Sequence, residues 1–256
     1  MRTMSRRWVA PLAIVAALLA GWELAARWDV LADLLGIEPF LIPAPSQIGE
    51  ALWVDRSLLL EDAWVTLQEV VLGFLIAVVA GVAFAASLHL SETLRRAFYP
   101  LVVASQTIPI IVLAPILVVW FGFGIGPKLA IIALICFFPI TVNTLDGLRG
   151  VDREQVKLMR TLDASRMQIF GRVEGPAALP GFFSGAKIAA AIAVIGAVFG
   201  EWAGSDSGLG HLMLTSSAQL LTARTFAAVV VLSAMAIALF MAIGALERRV
   251  VWWRER

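Results

Sequence analysis

The residues able to do chemistry in this chain are few and scattered. Two histidines, His89 and His211, lie far apart in sequence, and the single cysteine, Cys136, sits inside an apolar run. They give no metal-ligand spacing and no disulfide framework. No phosphate-cradling GxxxxGK[ST] loop, no GxSxG elbow and no HExxH helix occurs. No cofactor is expected to bind this chain, and if ATP drives it, another chain must hold the nucleotide. What is left is a set of polar groups stranded in apolar stretches: Glu69, Gln106, Thr107, Lys187 and Glu201. A charge in such a setting is costly unless paired or wetted, so each is a functional candidate. Glu69 and Lys187 could pair across a helix bundle, either could line a solute path, and Lys187 could snorkel to an interface. Glu201, beside Trp202, reads as an interfacial carboxylate or a path group. Gln106 and Thr107, next to Pro109, are the best placed of the set to line a path. Asn143 and Asp146 read as helix-end polar groups.

The surrounding composition says where these groups sit. Of the 256 residues, 60% are hydrophobic and 15% charged, against ~45–50% and ~25% in ordinary soluble domains. That much apolar surface exceeds what one water-soluble core can hide, so the natural solvent is a lipid bilayer. A net charge of +1 excludes a strongly basic nucleic-acid binder. A spanning helix needs roughly 20 mostly apolar residues. Six segments qualify, at about 9–27, 63–88, 98–121, 128–148, 179–202 and 225–246. The third carries Gln106, Pro109 and Pro115, and such a break is tolerated only where protein or a water-filled cavity satisfies the freed carbonyls. The first could be a signal peptide, but its apolar stretch runs on through Trp22, longer than a signal core, and it is taken as a retained helix.

Charge sets the orientation. With six spans and the N-terminus inside, the inner segments hold fifteen of the 20 basic residues, including Arg2, Arg6, Arg7, Arg95, Arg96, Arg248, Arg249, Arg254 and Arg256. Outer loops hold Arg56, Lys128 and Arg224. The outer connection, about 28–62, is acidic and contains the turn-rich Pro43-Ala44-Pro45-Ser46. The inner connection, about 149–178, is basic and reads as helical. Residues 155–162 place Val156, Leu158, Met159 and Leu162 at helical spacing, and Asp163-Ala164 breaks the pattern. Ser165 is a good N-cap for a second short helix over 166–170, and Pro176 and Pro180 end the unit. A helix–turn–helix between two spans has the shape to dock a soluble partner, its apolar stripe filling a groove and its arginines meeting carboxylates at the rim. An amphipathic hairpin lying on the lipid surface satisfies the same pattern.

The loop resembles the cytoplasmic coupling loop of binding-protein-dependent ABC importer permeases, whose pattern is Glu-Ala-Ala, three residues, Gly, and a hydrophobic stretch ending near Leu-Pro. The matching residues are Arg160-Thr161-Leu162, Ala164-Ser165-Arg166 and Pro176-Ala177-Ala178-Leu179-Pro180. Further matches run along nearly the whole chain: Pro43-Ala44-Pro45, Thr66-Leu67-Gln68, Ile108-Pro109, Trp120-Phe121-Gly122, Phe137-Phe138-Pro139 with Asn143-Thr144, and Gly208-Leu209-Gly210. They are similar to the nitrate/sulfonate/taurine-like branch. Two positions depart from it: Lys157-Leu158-Met159 stands for Glu-Ala-Ala, and Asp163 for the turn glycine, a residue that tolerates a left-handed turn.

The resemblance implies an all-α membrane protein of about six transmembrane helices with the type I (MetI-like) permease fold. It implies an N-terminal helix and outer segment over 1–62 and a permease domain over 63–256. It further implies a homodimer in a bacterial cell membrane, both termini cytoplasmic, working with a dimer of ATP-binding subunits and an extracytoplasmic substrate-binding protein. The stretch 195–202, followed by Gly208-Leu209-Gly210, is similar to permeases for pyrimidine precursors of thiamine or for riboflavin, with sulfonate, taurine or nitrate as the alternative cargo. An ATP-independent carrier would have no use for the docking hairpin, and a membrane enzyme would need convergent polar groups at one depth.

Overall fold

The computed structural model describes residues 2–255, with side chains described at 10–11, 13–30 and 32–253. Arg2, Arg6, Arg7, Arg254 and Arg256, which enter the orientation count, lie outside the described side chains.

Twelve α-helices and no strand are found among the described residues. They are α1 (Arg2–Arg27), α2 (Val30–Leu35), α3 (Pro45–Val54), α4 (Arg56–Leu90), α5 (Glu92–Ser105), α6 (Ile110–Phe121) and α7 (Ile125–Arg149), followed by α8 (Arg153–Thr161), α9 (Arg166–Ile169), α10 (Gly175–Gly204), α11 (Leu209–Ala218) and α12 (Thr222–Val250). Four helical runs among the described residues are long and apolar enough to cross a membrane, or five if the pair α5–α6 forms one span. The sixth expected span falls on α1, part of whose side chains lie outside the described set. The expected third span is a broken one: α5 and α6 meet at 103° across residues 106–109. Pro109 lacks the amide that would continue α5, and it opens α6 instead.

The core is the packing of α7 against α10 and α4. Ile132, Cys136 and Ile140 on α7 meet Ala186, Ala189, Ala190 and Ala193 on α10, and Val70, Phe74 and Ala77 on α4. Small residues on α10 let the backbones come close, the route to tight packing when lipid offers no hydrophobic drive between helices. At Gly185 an added Cβ would sit 2.4 Å from the Pro139 carbonyl oxygen, so only glycine fits. Large apolar side chains on α4, such as Leu75 and Val79, stay exposed, as a lipid-facing surface requires.

α4 has 35 residues, about 52 Å at ~1.5 Å per residue, well beyond a ~30 Å hydrocarbon core. It joins an acidic end, where α2 and α3 fold over the bundle, to a basic end, where α8 and α9 sit. α11 was unanticipated. With 10 residues it is too short to cross, and it buries Leu209 and Leu212 at the acidic end.

Candidate functional site

Polar side chains are brought together at both ends of the α4–α7–α10 unit. At the basic end, Asp152 caps α8 by accepting the Glu154 amide at 2.9 Å. The helix ends as expected at Asp163, which adopts φ 55, and the Ala164 amide reaches back to the Met159 carbonyl at 3.0 Å. Ser165 caps α9 reciprocally. Its hydroxyl accepts the Gln168 amide at 3.3 Å, while Gln168 Oε1 accepts the Ser165 amide at 2.8 Å. α9 does not stop at a proline. Phe170–Glu174 forms one π turn and runs straight into α10, with Pro180 inside the helix. Pro176 and Pro180 lack the amides that would bond the carbonyls four residues back, and the wider π turn absorbs part of that mismatch.

A buried ion cluster fixes this hairpin to the bundle. Glu174 is 4% exposed. It accepts from Arg166 Nη1 at 2.6 Å and lies 2.9 Å from Nε2 of His89, the last turn of α4. Arg166 Nη2 lies 3.1 Å from the same histidine nitrogen, and Ile169 packs beneath, fully buried. The hairpin therefore has a fixed pose. Leu158, Leu162 and Met167 are 61%, 69% and 68% exposed, an apolar stripe pointing away from the bundle. Arg160 and Lys157 lie on the other side of α8, where they line a cleft. Lys157 also pairs with Glu154 at 2.8 Å, on the surface, where such pairs contribute little. Thr161 donates to the Leu158 carbonyl at 2.7 Å.

At the acidic end, Glu69 does not pair with Lys187. Lys187 sits at mid-length of α10 and donates to Glu247, near the basic end of α12, at 2.7 Å. Glu69 pairs instead with Lys128 at 2.6 Å, both side chains less than a tenth exposed. The sequence placed Lys128 in an outer loop. It lies in the first turn of α7, and its ammonium also donates to Ser205 Oγ at 2.6 Å. One oxygen of Glu69, Oε2, is buried with no hydrogen-bond partner.

Glu201 is not interfacial either, being only 1% exposed. It accepts from the Thr66 hydroxyl at 2.6 Å, the Gly210 amide at 2.5 Å and the His211 amide at 3.2 Å. Thr66 Oγ1 accepts the Leu209 amide at 2.9 Å, and Asp62 Oδ1 accepts the Gly208 amide at 2.8 Å. The four otherwise orphaned amides at the start of α11 are thus all satisfied by α4 and α10. Gly208 holds φ 105, and a Cβ there would meet the Glu201 carboxylate at 2.3 Å.

Gln106 and Thr107 occupy the α5–α6 break. Gln106, with Ile108, Pro109, Ile135 and Ile192, borders a cavity of about 450 Å³. Thr107 turns its hydroxyl to the Ala104 carbonyl at 2.8 Å. The residues that the sequence concealed, Asp62, Thr66, His89, Lys128, Glu174 and Ser205, act only in combination across helices. The one local signal was a lysine, Lys128, three residues into an otherwise apolar run.

Comparison with known proteins accounts for this architecture. Residues 73–252 match the family described as "Binding-protein-dependent transport system inner membrane component". The chain is 40% identical over 230 residues to the formylaminopyrimidine transport permease protein ThiX of Halalkalibacterium halodurans, covering 90% of this chain and 92% of that protein. It is 32% identical to the riboflavin transport system permease protein RibX of Chloroflexus aurantiacus, covering 88% and 85%. To the taurine transport system permease protein TauC of Escherichia coli it is 28% identical, covering 98% and 91%. Among solved structures, an inward-facing form of the MetNI methionine ABC transporter superposes with a TM-score of 0.68 at 22% identity, covering 77% of this chain and 97% of that one.

Proposed function

From the premise that the chain belongs to the family of binding-protein-dependent transport system inner membrane components, we propose that its α8–α9 hairpin is the handle through which a partner ATPase drives transport. The protein is an inner-membrane permease subunit of an ABC importer. In this reading two ATP-binding subunits hydrolyse ATP, a substrate-binding protein delivers solute at the acidic end, and two permease copies frame the path. The basic end and both termini face the cytoplasm, in line with the distribution of Lys and Arg.

One observation carries the reading: Leu158, Leu162 and Met167 form an exposed apolar stripe on a hairpin that Glu174 clamps rigidly to α4 and α10. A stripe of this kind fills a groove on a soluble partner. The rigid clamp lets a nucleotide-driven movement of that partner reach the bundle instead of dissipating in a loose loop. The docking set is Lys157, Leu158, Met159, Arg160, Thr161, Leu162, Asp163, Ala164, Ser165 and Arg166, with Pro176 and Pro180 leading into α10. Gln106 and Thr107 line the path. Glu69, Lys187 and Glu201 contribute by tying helices together.

The cargo is a small neutral heteroaromatic nutrient of the pyrimidine type, with riboflavin second. Two observations support it. The more similar relatives carry formylaminopyrimidine and riboflavin in their names, and the taurine relative is more distant. Among the described residues no cation borders the cavity at the α5–α6 break, so a sulfonate there would be an unpaired charge among isoleucines.

Co-expression with the ATPase subunit tests the docking. Leu158→Asp and Leu162→Asp each abolish co-purification and uptake, with membrane insertion unchanged. Wild-type co-purification of both variants would refute it. Uptake competition between an aminopyrimidine and taurine tests the cargo.

A further inference from the structure

The face of α8 opposite the apolar stripe carries Lys157 and Arg160 of the docking set, but turns them toward the bundle instead of outward beside Leu158 and Leu162. Arg153, Val156, Lys157 and Arg160 recur at helical spacing and line a cleft of about 670 Å³ between α8 and the bundle. Its far wall is the end of α7, with Asp146 and Arg149, and the α4–α5 corner, with His89 and Arg95. Five cations face this space. Two carboxylates also border it, Asp146 and Glu174, and Glu174 is already engaged by Arg166 and His89. Arg95 is engaged by Glu92, and Lys157 by Glu154. Arg149, Arg153 and Arg160 make no ion pair among the described residues, although they converge on one concavity.

The arginines of α8 therefore do not flank the exposed leucines. They look back toward the basic ends of two long apolar helices, α4 and α7, and the end of a helix that crosses a bilayer lies at the headgroups. We propose that this cleft binds the phosphate of an anionic phospholipid from the leaflet at the basic end. The phosphodiester sits among Arg149, Arg153 and Arg160, and the acyl chains follow the exposed apolar sides of the spans. Arginine suits the task because its planar fork donates two parallel bonds to phosphate oxygens. The bound lipid wedges between α8 and the bundle, behind the surface offered to the ATPase, so this inference stands whether or not the stripe docks a partner.

The test uses the full chain, purified in a neutral detergent and incubated with mixed micelles of phosphatidylglycerol and phosphatidylcholine. Native mass spectrometry reads the ratio of the two lipids retained. The wild type is expected to retain phosphatidylglycerol selectively. A juxtamembrane cation contributes roughly a fivefold preference for an anionic lipid, so the combined Arg149→Gln, Arg153→Gln and Arg160→Gln variant lowers the selectivity about 100-fold. Arg153→Gln alone, an exposed change that threatens folding least, lowers it about fivefold. Arg248→Gln with Arg249→Gln, at the same end on α12 but outside the cleft, leaves it unchanged. An equal loss in this α12 variant would reduce the effect to general surface charge and overturn the proposal. Displacement of the lipid by inorganic phosphate at equal phosphate concentration would make free phosphate the ligand and overturn the lipid assignment.

Discussion

Removing Lys128 should be among the most damaging single changes in this protein, and removing its partner as well should restore most of the loss. Lys128 is 6% exposed and Glu69 2%, and their charged atoms are 2.6 Å apart. Lys128→Met leaves a carboxylate buried beside a Ser205 hydroxyl that has lost its donor. An uncompensated buried charge of this kind costs ~3–5 kcal/mol. Glu69→Leu with Lys128→Met removes both charges, and such apolar replacements are neutral to within about 1–2 kcal/mol. The pair already leaves Glu69 Oε2 without a donor, which lowers what the ion pair contributes and favours the apolar replacement. Glu69→Gln keeps an acceptor for the ammonium and should cost less than Lys128→Met. The assay is equilibrium unfolding in mixed micelles for the wild type, the single Leu and Met variants and the double variant. The expected coupling energy is ~2 kcal/mol or more, and additivity within about 0.5 kcal/mol would refute the reasoning.

Three further outcomes follow from the same geometry. Glu174→Ala frees Arg166 and His89, so amide exchange over 153–169 should rise about 10- to 100-fold, from charge-assisted bonds of ~1.5–3 kcal/mol; unchanged exchange would mean the cluster does not hold the hairpin. Gly208→Ala forces a Cβ into the Glu201 carboxylate at an unfavourable φ. Its melting temperature should fall clearly, whereas Gly126→Ala, with nothing within 4 Å, should leave it unchanged. Gly185→Ala pushes against the Pro139 carbonyl and should lower folded yield in the membrane fraction more than Gly126→Ala does.

The long helices were legible because each is one continuous apolar run, and the α5–α6 break was legible because Pro109 removes an amide. The capping of the hairpin at Asp163 and Ser165 was also local, hence readable. Glu69, Lys187 and Glu201 were found but given the wrong surroundings. Partners for a buried charge are chosen by tertiary packing, and Lys128 looked like a loop residue because it stands beside Gly122, Gly124, Gly126 and Pro127. The two faces of α8 could not be separated either. Its periodicity shows that an apolar and a basic side exist, but which side meets the bundle is decided by Glu174, a residue on another segment.

The two buried clusters together constrain how the molecule can move. Glu174 immediately precedes α10 and Glu201 lies near its end, and both reach α4, through His89 at one end and Thr66 at the other. α7 lies between them, joined by Lys128 to Glu69 and pressed against Gly185. Sliding α4 along α10 would break charged contacts at both ends at once, so the three helices and the hairpin behave as one body. α6 is held to that body through Ala114 and Leu117 against Ile131, while residues 106–109 bridge the bend with no side-chain bond to α7 or α10 among the described residues. Under the proposed function, a displacement delivered at the hairpin is carried through this body to α11, and the bend at Gln106–Pro109 is the joint at which α5 can move relative to it, beside the cavity proposed for the solute.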